Sequence, residues 1–112
     1  MGERVNKACD LVIVETTVFP EHVRRAASRL RNFFEERRFG SIGQDDFAAY
    51  TQKCTRLDLA TEAAAVGGPM ELACFDLRIL GTIAGFSGEI ALWKLIQMWI
   101  EEWQPASTGA RP

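Results

Sequence analysis

One segment constrains this chain more than any other. Among stretches that otherwise read as helix, only residues 11–18, Leu-Val-Ile-Val-Glu-Thr-Thr-Val, carry the β-branched density of a strand. A lone strand leaves its backbone N–H and C=O groups unpaired, and an apolar one on a monomer is an aggregation template. A second copy of the chain solves that problem. The pattern therefore predicts a mainly α fold, a compact helical domain of about four helices with one short β-strand. Leu11, Val12, Ile13, Val14 and Val18 pair with their equivalents across a homodimer.

The 112 residues suit a single domain, 1–112, with loosely ordered ends at 1–10 and 104–112. A net charge of -2 gives no general attraction for nucleic acid or anionic lipid. Cys9, Cys54 and Cys74 are odd in number and widely spaced, which fits neither a disulfide framework nor a zinc site and points to a reducing cytoplasm. The opening Met-Gly-Glu-Arg-Val-Asn reads as neither an export leader nor a myristoylation signal. Apolar runs stop far short of the roughly 20 residues that span a bilayer, so no membrane partner is expected.

Residues 20–39 place Val23, Ala27, Leu30 and Phe34 on one helical stripe, with Pro20 at the start and Gly40 as a C-terminal cap. A turn at 41–43 leads to a second helix over 44–66, whose stripe runs through Phe47, Tyr50, Cys54, Leu57, Thr61 and Ala64. Gly67-Gly68-Pro69 breaks the chain and opens a third helix ending near residue 85. That helix is apolar on two flanks, which makes it either the central helix or partly an interface. Asp76 projects between those flanks and needs a partner such as Arg37, Arg38 or a tryptophan N–H, in a structural ion pair.

The fourth helix, 88–103, gathers Leu92, Trp93, Leu95, Ile96, Trp99, Ile100 and Trp103 on an arc of about 160°. At roughly 200 Å² each, three tryptophans hold about 600 Å², more than one neighbouring helix covers. The surplus is expected to meet a second copy or a protein partner, with ordinary core packing as the rival reading. Arg24, Arg31 and Arg38 step by seven along one border of the first helix and fit the rim of that interface.

Raw material for catalysis is scarce. His22 is the only histidine, no nucleophile elbow surrounds a serine, and no cluster has zinc-ligand spacing. The expected protein is not an enzyme and carries no cofactor or metal. The alternative is a DNA-binding helical regulator that uses the Arg-rich helix 20–39, although the net charge argues against nucleic acid. A third reading is a small enzyme that uses Asp76 in an apolar pocket.

Chain length, acidic balance, the segment 11–18 and the surface of Trp93, Trp99 and Trp103 resemble the small antiactivators of quorum sensing. The resemblance covers the length and order of elements over most of the chain, and no family site residue is carried over from it. It implies a cytoplasmic homodimer that binds the ligand-binding domain of a LuxR-type transcription factor. Such binding blocks the receptor's dimerisation and prevents promoter recognition.

Overall fold

The structure is a computed structural model that describes residues 2–37 and 43–103. The described residues form six α-helices and no strand. In chain order these are α1 Gly2–Val14, α2 Glu21–Arg37, α3 Gln44–Lys53, α4 Ala60–Val66, α5 Pro69–Phe86 and α6 Ile90–Trp103, with one 3₁₀ turn, Leu57–Leu59, before α4.

This overturns the expected strand and the four-helix count. Residues 11–14 are the last turn of α1, and Val18 lies in the turn that follows. The helix wins because Val5, Cys9 and Val12 recur at steps of four and three and are all buried. Each such burial stabilises by about 1.5–3 kcal/mol, more than the ~1 kcal/mol span of strand preference. Two residues of the stripe lie in the segment read as a loose lead, so the helical period is hidden when 11–18 is taken alone. Leu11, Val14 and Val18 are exposed, and Val12 and Ile13 pack on the core. With no strand among the described residues, the reason for pairing two copies across a sheet disappears.

From α1 the chain turns through Phe19, whose carbonyl accepts from Arg24 Nε at 3.1 Å, and α2 folds back along α1. The expected single helix over 44–66 is two helices. The Thr55 hydroxyl donates to the Gln52 carbonyl at 2.6 Å and competes with helix continuation, and Arg56 is extended at ψ 151°. At the start of α3 the Asp46 carboxylate accepts the Gly43 N–H at 3.0 Å. The end of helix 20–39, its Gly40 cap and the tail 104–112 lie outside the described residues.

α5 is the central helix and packs against α1, α2, α3, α4 and α6. Leu72, Ala73, Leu77, Leu80, Ile83 and Ala84 fill the middle of the core. Gly81 lets α6 come close, since a Cβ there would stand 3.3 Å from Ile96 Cγ2. The α5–α6 turn is a Schellman arrangement. Glu89 N–H donates to the Ala84 carbonyl at 2.8 Å and Gly88 N–H to that of Gly85 at 3.2 Å. Gly88 takes φ +79°, which its missing Cβ permits.

Candidate functional site

The apolar arc of α6 divides between inside and outside. Leu92, Ile96 and Ile100 are buried in the core. Trp99 is half-buried and packs its ring against Phe47 at 5.2 Å. Trp93 remains 39% exposed and lies over Gly85, where a Cβ would stand 3.3 Å from its Cδ1. Trp103 ends α6, and its side chain lies outside the described residues. Of the six α6 residues expected to meet a partner, three are thus enclosed by the chain's own core, because α5 offers a full apolar face.

What remains is the corner where α5 turns into α6. Phe86, the last residue of α5, is 88% exposed, and Ile90, one helical turn before Trp93, is also exposed. Sequence reasoning put Phe86 and Ile90 outside the site. The available signal was that Ile90 falls off the buried arc of α6, and that Phe86 sits in a helix-ending Gly-Phe-Ser-Gly where no core face is available to it.

Asp76, at 0% exposure, is the charged centre of the fold. Arg29 grips it with two parallel hydrogen bonds, Nε to Oδ2 and Nη2 to Oδ1, both at 2.8 Å. The Tyr50 hydroxyl donates to the same carboxylate, and Arg29 Nη1 also pairs with Glu62. One acid therefore ties α5 to α2, α3 and, through Arg29, α4. Of the expected partners, Arg38 and the Arg37 side chain lie outside the described residues, and the carboxylate is held by Arg29 and Tyr50. Burial opposes the Arg29 charge, but the hydrogen bonds and charge of Asp76 outweigh it and raise its pKa. Burial also pushes Tyr50 well above 10, helped by the Asp76 charge.

Burial pushes the thiols of Cys9 and Cys54 up to about 12 from 9.0, with the charges of Asp10 and Asp76 respectively adding to the effect. Both are poor nucleophiles in this state. Since the unfolded thiols ionise first, the stability they contribute is intact below pH 9 and is lost between pH 9 and 12. The expected loss is up to about 1.4 kcal/mol per pH unit for each thiol. Urea denaturation at pH 7, 9, 10 and 11 measures it, and a Cys9→Ala/Cys54→Ala chain should show a shallower alkaline decline. An equally steep decline in that variant would remove the thiols as its cause.

Four arginines of α2, Arg24, Arg25, Arg29 and Arg31, have acceptors within the molecule. Arg24 donates to Phe19, Arg25 pairs with Glu21 at 2.9 Å, and Arg31 pairs with Asp10 at 3.0 Å and Glu35 at 2.8 Å. Arg29 serves Asp76 and Glu62. Arg38, the third member of the expected rim, lies outside the described residues. Among the described residues, no group of histidine, cysteine and acidic side chains could hold a metal ion, and no helix is long and apolar enough to cross a membrane. The chain matches no protein-family model, no curated protein and no solved structure.

Proposed function

We propose that this chain is a non-enzymatic cytoplasmic regulator that binds another protein through the α5–α6 corner. The observation that carries this reading is the exposure of three large apolar side chains, two of them aromatic, Phe86, Ile90 and Trp93, within one turn of the chain. Aromatic side chains presented this way are the usual anchors of protein interfaces, since they bring large area at low entropic cost. The partner implied by the resemblance to quorum-sensing antiactivators is the ligand-binding domain of a LuxR-type receptor, held so that it cannot dimerise. The tryptophan-bearing helix supports that choice; the strand no longer does. A DNA-binding role has less support, because each side chain of Arg24, Arg25, Arg29 and Arg31 already has an acceptor in its own fold.

Titration of a purified receptor ligand-binding domain tests the reading. Phe86→Asp and Trp93→Ala should each weaken binding by about 30-fold, the ~2 kcal/mol of an interface anchor, with helical content unchanged. Equal binding by the folded variants, or no binding by the wild-type chain, would contradict it.

A further inference from the structure

A second surface feature lies nearer the start of α5 and shares no residue with the α5–α6 corner. Between α2, α4 and α5 the chain leaves a half-open pocket of about 160 Å³. Its apolar walls are Leu72 and Phe75 of α5 with Ala65 and Val66 of α4. Its polar side is built from Arg25, Arg29, Glu62 and His22, and the His22 ring stands 5.7 Å from that of Phe75.

We propose that this pocket binds a small organic carboxylate on an aromatic or branched apolar body, of about the size of benzoate. Size sets the first limit. Sites for drug-sized ligands and cofactors run from about 300 to 1,000 Å³, so this pocket takes only a fragment of that size. Hydrogen-bonding capacity sets the head group. Of the five N–H donors of a guanidinium, Arg29 spends two on Asp76 and one on Glu62, leaving two. The grip of buried Asp76 holds that guanidinium in a fixed orientation, so little entropy is lost when a second carboxylate meets it.

Arg25 adds further donors. Its pair with Glu21 is exposed on both sides and of the weak i,i+4 kind, so an incoming carboxylate exchanges for it at little cost. On the acceptor side the pocket offers Glu62, which Arg29 already engages. Unspent capacity at the wall is thus mostly donor capacity, which selects an oxyanion head, and the flat faces of Phe75 and His22 suit an aromatic body.

The probe is benzoate, with benzamide as the neutral isostere, followed by backbone amide shifts of the full chain. Two variants at exposed positions leave the core untouched: Ala65→Trp plugs the pocket and Arg25→Gln removes one cation. Benzoate should shift residues 22–29, 62–66 and 72–75 with millimolar affinity and bind about tenfold tighter than benzamide. Arg25→Gln should reduce that preference while Arg29 retains part of it, and Ala65→Trp should abolish binding of both. The proposal is overturned by an absence of shifts at about 20 mM benzoate, by equal affinity for benzamide, by a preference left unchanged in Arg25→Gln, or by binding that survives Ala65→Trp.

Discussion

Asp76→Ala should destabilise this protein by about 3–5 kcal/mol, the cost of breaking a buried ion pair from one side. The substitution removes more than a hydrogen bond. It leaves the Arg29 guanidinium, only 12% exposed, without its bidentate partner, and leaves the buried Tyr50 hydroxyl with no carboxylate to donate to. Glu62 still faces Arg29 but lies on the outer side, where water weakens the pairing. Two controls separate the charge from the packing. Tyr50→Phe removes one hydrogen bond to a charged acceptor and should cost about 1.5–3 kcal/mol. Asp76→Leu combined with Arg29→Met removes both charges and should cost less than Asp76→Ala alone, because nothing charged is left stranded. Urea denaturation gives all three values. Since domains of this size hold about 5–15 kcal/mol in total, Asp76→Ala should also lower the thermal midpoint sharply. A cost under about 1 kcal/mol would mean that the four helices are not tied through this carboxylate.

Val5→Asp should cost more than about 3 kcal/mol, combining the lost burial of a valine with an unpaired buried charge. Val5 is 1% exposed and sits among the core residues gathered by α1. The paired substitution Leu11→Asp should stay within about 0.5 kcal/mol, because Leu11 faces solvent. A loose lead followed by a strand would give the reverse order, with Val5 tolerant and Leu11 sensitive. Denaturation midpoints of the two variants therefore distinguish the helix from the strand without any spectroscopic assignment.

The sequence made some of this legible and hid the rest for physical reasons. The stripe of Val23, Ala27, Leu30 and Phe34 gave α2, and the break at Gly67-Gly68-Pro69 gave the start of α5, because each is a local signal. At residues 11–14 two local signals conflict, the β-branched run of Val12, Ile13 and Val14 and the helical stripe from Val5. Tertiary burial decides between them, and no window of the sequence contains that term. The break between α3 and α4 comes from one hydroxyl, that of Thr55, turning back on the backbone.

The candidate site shows the same division. That Asp76 needs a partner could be read from its place between two apolar flanks of α5. Which residues supply it could not, since Arg29 and Tyr50 stand 47 and 26 positions away. The apolar arc of α6 was visible, but the area α5 would cover was not. The arc predicts a partner face of Leu92, Trp93, Ile96, Trp99, Ile100 and Trp103, but the core encloses Leu92, Ile96 and Ile100 and leaves Trp93 exposed beside Phe86 and Ile90.

Amide hydrogen exchange of the chain, alone and mixed with the ligand-binding domain of a LuxR-type receptor, probes the proposed division between closed core and open corner. The expected result is slow exchange over residues 5–14 and α5 in both samples, with receptor-dependent slowing confined to residues 83–97 around Phe86 and Trp93. Receptor-dependent slowing that falls on α2 instead, or none anywhere, would contradict it.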